Sequence, residues 1–270
     1  MTLLQSFVLG IVQGLTEFIP VSSSGHLVLV PHLLGWQIPE AQNFIFDVLV
    51  QLGTLVAVVV YYWQDLLAIA RAFVLGLVRR QPFAEADARM GWFLILATLP
   101  AVVVGLLAKD LIEQAFASPK MTGVFLLGTA LLLLIAEQAG RRSRSLPELN
   151  WQDSLWIGCS QVLALLPGVS RSGATLAGGM TRHLDRSAAA RFSFLMSVPV
   201  MLGASVLALK DLLALPAVHD FLLPLLIGFL TAMISGYFAI RWLISYLSKH
   251  SLYLFAGYCA MLGLVIILAM

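Results

Sequence analysis

The sequence has little charge and little cysteine, and both shortages restrict what the protein can be. Asp, Glu, Lys and Arg together make up only 11% of the 270 residues, whereas 60% are hydrophobic. One soluble domain of this length cannot bury so many apolar residues. The two cysteines, Cys159 and Cys259, lie in separate apolar segments, which gives no indication of a disulfide or a metal pair. The formal net charge is only +2. The composition therefore predicts an integral membrane protein that contacts membrane lipids and has no nucleic-acid partner.

Six segments are apolar over about the 20 residues that a helix needs to cross a bilayer. They are residues 44–63, 90–108, 121–139, 190–209, 221–246 and 252–270. Four shorter apolar segments, 2–19 with 25–36 and 153–166 with 172–181, are joined in pairs by turns rich in Pro, Gly and Ser. Each pair predicts a re-entrant helical hairpin. Its non-helical tip must face protein or a water-filled cavity, because lipid cannot form hydrogen bonds with the backbone. The first segment lacks a basic leader, so we expect no cleavable signal there.

The chain contains an internal repeat. Residues 13–25 recur in altered form at 161–173, an offset of 148 positions. Each half then has one hairpin and three spans, so the second half must enter the membrane inverted. We predict an all-α polytopic protein of ten helices, arranged as two inverted repeats in a single membrane domain, 1–270. Repeat one covers 1–139, repeat two covers 151–270, and the polar, basic segment 140–150 is a cytoplasmic linker.

Lysine and arginine are distributed unevenly between the two predicted membrane faces. Of the 16 basic residues, one face receives the twelve at Arg71, Arg79, Arg80, Arg89, Arg141, Arg142, Arg144, Arg182, Arg186, Arg191, Arg241 and Lys249. The other face receives Lys109, Lys120 and Lys210, and Arg171 lies in the second hairpin. Because cytoplasmic loops carry the excess of Lys and Arg, the first face is predicted to be cytoplasmic. Both termini and the mouth of the first hairpin are then expected outside.

The two hairpins carry opposite charges at predicted membrane depth, Glu17 in the first and Arg171 in the second. An unpaired charge at the centre of a bilayer costs about 2.5–3.5 kcal/mol on insertion scales. Two opposite charges about 4 Å apart gain roughly 4 kcal/mol at an effective dielectric constant near 20, so pairing would offset that cost. The pair is either a structural link between the hairpins or part of a functional site. We favour a site, because ionisable residues within membranes usually mark one.

Serine and glycine surround both charges. The first tip contains Ser22, Ser23, Ser24 and Gly25, and the second contains Ser170, Ser172 and Gly173. Hydroxyl groups, backbone N–H groups at a helix start and a guanidinium are the donors that bind phosphate. Serine is also a preferred helix N-cap, so Ser22 and Ser170 have a structural alternative. Taken together, the two turns predict a phosphate site between hairpin tips that lie in contact.

His26 follows the first serine cluster and is either a hydrogen-bonded structural residue or an acid, base or phosphoryl acceptor near neutral pH. We favour catalysis. Gln13 and Glu17 are about one helical turn apart and share a face. They could hold a divalent cation, Mg²⁺ or Ca²⁺, if water and substrate phosphates supply the other ligands. Asp47 and Asp153 are second-rank candidates, with a helix-end charge as the alternative.

Three motifs, in this order along the chain, carry a resemblance to a known family. They are Gln13-x-x-x-Glu17, Pro20-Val-Ser-Ser-Ser-Gly-His26 and Pro167-Gly-x-Ser170-Arg171-Ser172-Gly-x-Thr175. On these motifs, and over essentially its whole length, the chain resembles the undecaprenyl pyrophosphate phosphatases, the bacitracin-resistance phosphatases. The resemblance implies an enzyme of the bacterial inner membrane. It would remove the terminal phosphate from undecaprenyl pyrophosphate at the outer face and so recycle the lipid carrier for cell-wall synthesis.

The resemblance also implies roles for individual residues: Glu17, Ser23 and His26 for catalysis, Arg171 for phosphate binding, and Ser170 and Thr175 beside it. Gln13 stands where the family has glutamate or glutamine, and the neutral amide is a weaker metal ligand than a carboxylate. The nucleophile stays open between three schemes. They are Ser23 activated by His26, His26 itself through a phosphohistidine, and water activated by His26 or Glu17.

An alternative from another class is a transporter, such as a flippase of a polyprenyl phosphate carrier. Inverted repeats whose broken helices meet at the membrane midplane also build transporters. However, only the first hairpin carries Glu17 and His26, where the second has Leu165 and Ala174. Transport does not need a one-sided set of reactive groups, so this asymmetry favours an enzyme. The sequence carries no signal for an oligomeric state.

Overall fold

The computed structural model describes residues 1–116, 118–213 and 222–269. Within these ranges, the side chains at 40–44, 113, 116, 119, 204, 206–213 and 269 lie outside the description. The side chain of Lys210, which was assigned to the outer face, is therefore outside the described residues. All the predicted site residues are described.

The described residues are mostly helical, which confirms the predicted all-α class. Twelve α-helices occur in these ranges: α1 (Leu3–Phe18), α2 (Ser23–Leu33), α3 (Glu40–Tyr61), α4 (Trp63–Val78), α5 (Ala86–Leu107), α6 (Lys109–Phe116), α7 (Pro119–Ala139), α8 (Trp151–Val162), α9 (Arg171–Thr181), α10 (Arg186–Leu213), α11 (Leu222–Leu247) and α12 (Tyr253–Ala269). Short 3₁₀ turns occur at Leu146–Glu148 and Leu163–Leu165. The helices α1 and α2 form the first predicted hairpin, and α8 and α9 form the second.

The predicted number of ten helices is too low for the described residues. The two additional helices, α4 and α6, lie in segments that the hydropathy pattern indicates as linkers. The axis of α4 is bent by 79° from that of α3. Its first turn contains Gln64 and Asp65, which mark the end of an apolar span in the sequence. An acidic residue is nevertheless favourable at a helix N-terminus, so the chain begins a new helix there.

Three described helices are long and apolar enough to cross a membrane: α5, α7 from Lys120 to Ala139, and α11. The bent pair α3 and α4 provides a fourth span if it is counted as one. The apolar stretch of α12, Tyr253–Leu268, is shorter than a full span, and α10 includes side chains outside the description. The structure therefore agrees with a multi-pass membrane protein and accounts for three or four of the six predicted spans by length and composition.

The first helix of each hairpin packs closely on a long helix of the other half, α1 on α11 and α8 on α5. Glycine makes both contacts possible. A Cβ on Gly10 would lie 2.6 Å from the Gly228 carbonyl oxygen on α11, and one on Gly158 would lie 2.5 Å from the Ala97 carbonyl oxygen on α5. Small residues allow membrane helices to approach in this way. Gly10 and Gly158 are 148 positions apart, which is also the offset between the two copies of the sequence repeat.

The apolar core contains residues of both halves. Phe18 on α1 and Phe194 on α10 belong to one buried cluster, and their rings meet edge to face with centroids 5.3 Å apart. Phe18 directly follows Glu17, so this contact fixes the end of α1 where the first hairpin turns. Packing between the halves thus positions the site described below.

Asp153 has a structural role at the start of α8. Its buried carboxylate accepts hydrogen bonds from Arg144 at 2.6 Å and from Arg182 at 2.7 Å. It also accepts the backbone N–H of Asn150, while Asn150 caps the helix in return. The bond to Asp153 raises the pKa of the Arg144 guanidinium. The helix-end interpretation of Asp153 is therefore confirmed, and its carboxylate ties the linker 140–150 to the second hairpin.

Candidate active site

The tips of the two hairpins meet, as the sequence predicts. The backbone N–H of Gly168 lies 3.4 Å from Ser24 Oγ, and Ser172 Oγ donates to the Ile19 carbonyl oxygen at 3.4 Å. A serine hydroxyl of each tip therefore forms a hydrogen bond with a non-helical backbone group of the other. This is how irregular backbone can exist at membrane depth.

Ser22 and Ser170 are the N-caps of α2 and α9. The hydroxyl of Ser22 accepts the N–H of Gly25 at 3.3 Å, and that of Ser170 accepts the N–H of Gly173 at 3.1 Å. The capping interpretation of these two serines is thus confirmed. Ser22 also has φ of 69°, a conformation uncommon outside glycine. The two caps occupy equivalent repeat positions, so both helices begin, with their unpaired N–H groups, at the junction of the tips.

Glu17 is the point where the three motifs converge. Its Oε1 accepts a hydrogen bond from the guanidinium of Arg171. Its Oε2 accepts the hydroxyl of Ser23 at 2.8 Å and the side-chain N–H of Gln13 at 2.8 Å. The ion pair proposed as a structural link is therefore present. It also joins the first residue of α9 to the first residue of α2 through one carboxylate.

A cavity of about 730 Å³ opens beside this carboxylate. Its polar lining includes six of the predicted site residues: Glu17, Ser22, Ser23, Ser24, Ser170 and Arg171. Asp47 and Gln51 on α3 also line it, whereas Val28, Ile112 and Met201 contribute apolar surface. A cavity with a charged, hydroxyl-rich region and apolar walls suits a ligand with an anionic group and a hydrocarbon portion.

His26 lies behind the serine cluster rather than in the lining of this cavity, as far as the described residues define it. Its Nδ1 is 2.7 Å from the Ser22 carbonyl oxygen. Because a carbonyl only accepts, Nδ1 must carry a proton. In the neutral ring Nε2 is then an acceptor, and the hydroxyl of Tyr258 on α12, 2.7 Å away, donates to it. The reactive nitrogen of the predicted catalytic histidine is thus covered by a tyrosine.

Thr175 and Thr129 support the second tip from behind. The Thr175 hydroxyl donates to the Arg171 carbonyl oxygen at 2.8 Å and lies 2.6 Å from Ser193 Oγ. Thr129 on α7 donates to the Gly168 carbonyl oxygen at 3.1 Å and accepts the N–H of Ser170 at 3.0 Å. Thr175 was predicted as a substrate contact, but within the described residues it holds α9 and does not line the cavity. Gln13, Gly25, Ser172 and Gly173 likewise lie behind the lining.

Sequence reasoning missed Tyr258 and Thr129 and gave Asp47 only second rank. Each is a polar side chain within an apolar helix, which was the only available signal. The partners of Tyr258 and Thr129, His26 and Ser170, are 232 and 41 positions away along the chain. These contacts follow from the packing of α7 on the hairpins and of α12 on α7.

Comparisons with known proteins show which family the sequence resembles. The sequence model of the bacitracin resistance protein BacA matches residues 6–265. The undecaprenyl-diphosphatase of Chloroherpeton thalassium is 45% identical over 100% of this chain and 97% of its own length. That of Rubrobacter xylanophilus is 46% identical over 95% and 94%, and that of Chlorobaculum tepidum is 42% identical over 99% and 96%. With a match that covers nearly the whole sequence, the chain belongs to the family of the bacitracin resistance protein BacA.

Proposed function

We propose that this chain is a membrane phosphatase that hydrolyses undecaprenyl diphosphate to undecaprenyl phosphate and phosphate. The observation that carries the proposal is the convergence of Glu17, Ser23 and Arg171 at one cavity. A carboxylate, a hydroxyl and a guanidinium at two helix N-termini match what a diphosphate headgroup requires. The relatives named above as undecaprenyl-diphosphatases support this substrate. The apolar cavity wall suits the polyprenyl chain.

Arg171 and the starts of α2 and α9 bind the diphosphate. The guanidinium donates to phosphate oxygens with two parallel N–H groups, and the first backbone N–H groups of both helices add further donors. Met201 lies beside Arg171, with Sδ 3.5 Å from a guanidinium nitrogen, and gives that side of the site an apolar boundary. Arg171 therefore exchanges at least part of its bond to Glu17 for bonds to the substrate.

Ser23 is the nucleophile that the contacts support best. Its hydroxyl lines the cavity and donates to Glu17, whereas Nε2 of His26 meets Tyr258. As Arg171 turns to the phosphate, the Glu17 carboxylate takes the Ser23 proton. The Ser23 oxygen then forms a bond to the terminal phosphorus, the bond from that phosphorus to the bridging oxygen breaks, and undecaprenyl phosphate leaves. Water hydrolyses the resulting phosphoserine.

The predicted cation pair, Gln13 and Glu17, does not offer a free carboxylate in this arrangement. Both oxygens of Glu17 accept hydrogen bonds from protein donors. Of the side-chain oxygens of this pair, Gln13 Oε1 is the one that is buried without a partner among the described residues. In the described part of the chain, His, Cys, Asp and Glu residues nowhere form a group of three that could hold a metal ion. The reaction steps above therefore involve no cation bound by this pair.

We place the protein in the bacterial inner membrane as two inverted repeats, with its site open to the outer face and both termini outside. The equivalent contacts of Gly10 and Gly158 support the repeat, and the clustering of arginine around 140–150 supports a cytoplasmic linker. In intact cells, a cysteine introduced by Ser143→Cys should be protected from an impermeant maleimide in a background lacking both native cysteines. Labelling from outside would reverse the orientation.

The activity is tested directly by incubating the purified protein, in detergent or nanodiscs, with undecaprenyl diphosphate. We expect release of one phosphate per lipid and formation of undecaprenyl phosphate, with Arg171→Ala at least about a hundredfold slower. Movement of the lipid between leaflets of a vesicle without phosphate release would instead identify a transporter and overturn the proposal.

A further inference from the structure

The charged residues that line the cavity do not balance an anionic substrate. Within the described lining, Glu17 and Asp47 supply two negative charges and Arg171 supplies one positive charge, which leaves a net charge of −1. A diphosphate headgroup brings further negative charge to the same space. Since like charges in one cavity repel each other, the lining lacks a positive charge that an anionic substrate needs.

Of these two carboxylates, Asp47 is the one without a hydrogen bond to a described residue. Its Oδ1 is buried and has no hydrogen bond to any described residue. Glu17, by contrast, accepts three hydrogen bonds. A buried carboxylate oxygen without a donor is costly, and structures retain such groups where a ligand or ion completes them.

The position of Asp47 on α3 also suits a shared ligand. Gln51, one helical turn further along, lines the same cavity and offers a side-chain oxygen on the same helix face. The serine cluster and Arg171 border the cavity as well. A headgroup held by Arg171 therefore lies in the same enclosed space as the Asp47 carboxylate.

We infer that Asp47 is the protein ligand of a divalent cation that binds together with the diphosphate, in place of the pair Gln13 and Glu17. The inference rests on the proposed function, because the substrate supplies the remaining ligands. Mg²⁺ is usually bound through one or two carboxylates plus substrate phosphates and water. One carboxylate is what Asp47 provides, which agrees with the lack of a closed three-ligand group among the described residues. A cation there brings the positive charge that the cavity lacks.

Cation binding is measured apart from turnover, with Mn²⁺ as the probe and methylene diphosphonate as a non-hydrolysable headgroup. Electron paramagnetic resonance of free Mn²⁺ gives its affinity for the purified protein with and without the diphosphonate. We expect tighter Mn²⁺ binding when the diphosphonate is present, competition by Mg²⁺, and an affinity at least about tenfold lower in Asp47→Asn. Asp47→Glu keeps the carboxylate and should retain more affinity than Asp47→Asn.

The matched control is Asp65→Asn, which removes a carboxylate that pairs with Arg191 on the surface and should leave Mn²⁺ binding unchanged. Thermal unfolding identifies any variant that does not fold. If Asp47→Asn does not fold, the Mn²⁺ affinity of Asp47→Glu is compared with that of the wild type instead. Glu17→Gln is measured in the same way. Wild-type Mn²⁺ affinity in folded Asp47→Asn, or an affinity loss in Glu17→Gln alone, would overturn the inference. The proposed function would still stand as long as the wild type releases phosphate. Failure of the wild type to release phosphate would count against the function itself.

Discussion

The hydroxyl of Tyr258 donates a hydrogen bond to Nε2 of His26 at 2.7 Å, and the two rings are nearly parallel, with an interplanar angle of 6°. The Ser22 carbonyl oxygen fixes the proton on the other ring nitrogen. His26 is therefore held at both nitrogens in a single tautomer. Because the Ser22 carbonyl directly precedes the proposed nucleophile Ser23, this double fixation of His26 also holds the backbone of the first tip.

The first prediction follows from this pair. Tyr258→Phe removes the donor and loosens the His26 ring, which holds the Ser22 carbonyl beside the proposed nucleophile Ser23, so we expect kcat for phosphate release to fall about tenfold or more, with a small change in KM. Tyr253→Phe on the same helix is the control, because Tyr253 is half exposed and has no contact with His26. Fluorotyrosines at 258 refine the measurement. If kcat follows the acidity of the phenol, the hydroxyl acts through its hydrogen bond, whereas equal rates in Phe, Tyr and fluorotyrosine proteins would reduce Tyr258 to packing.

The second prediction identifies the nucleophile. Ser23→Ala should abolish turnover, because its hydroxyl lines the cavity and is bonded to Glu17. Ser24→Ala should lose less, since the Ser24 hydroxyl contacts Ser22 and Gly168 instead. With labelled terminal phosphate, a quenched reaction should leave acid-stable phosphoserine at 23. Acid-labile label on His26, with turnover retained in Ser23→Ala, would assign the attack to histidine.

The third prediction concerns the shape of the phosphate-binding group. Arg171→Lys keeps a positive charge and can still pair with Glu17, but an ammonium cannot present two parallel donors to phosphate oxygens. We expect kcat/KM to fall about a hundredfold. Arg241→Lys on the exposed face of α11 is the control and should behave as the wild type. Near-normal turnover in Arg171→Lys would return this arginine to the role of a structural link.

The fourth prediction separates structural from functional carboxylates. Asp153→Asn weakens the bonds to Arg144 and Arg182, and we expect it to lower the free energy of unfolding by about 2 kcal/mol. The rate of phosphate release per folded molecule should not change, because Asp153 does not line the cavity among the described residues. Thermal unfolding and turnover are measured on the same preparation. A folded Asp153→Asn protein with little activity would show that the second hairpin transmits a defect to the site.

The repeat at 13–25 and 161–173 predicted the meeting of the hairpin tips because both copies break the helix, at Pro20 and at Pro167-Gly168, and neither can leave its broken backbone in lipid. Ser22 and Ser170 start their helices at equivalent positions because each serves as the N-cap. The pair Glu17 and Arg171 was also predictable, since each charge needed a partner at membrane depth. Helix-capping residues and the cost of a charge in the membrane were thus sufficient to predict the centre of the site.

The periphery of the site was not predictable in the same way. A tyrosine in an apolar helix has a polar tip that can face several directions, and only the packing of α12 on α7 brings Tyr258 to His26. Asp47 shows a similar ambiguity, because a carboxylate near a helix end looks the same in sequence whether it faces solvent or a cavity. The helix α4 was missed because Gln64 and Asp65 end an apolar run and also begin a helix.

The last prediction compares two converse changes on α1. Glu17→Gln keeps the shape of the side chain but removes the charge that pairs with Arg171 and accepts the proton of Ser23. We expect a loss of turnover of about a hundredfold or more. Gln13→Glu replaces the N–H donor that lies 2.8 Å from Glu17 Oε2 with a second carboxylate, and the repulsion can be relieved by sharing a proton or binding a cation. The loss should therefore be several-fold and should shrink as Mg²⁺ or Ca²⁺ is added. Both variants are assayed across a titration of each cation. Equal mild losses, or a loss confined to Gln13→Glu, would show that Glu17 serves only as the ionic partner of Arg171.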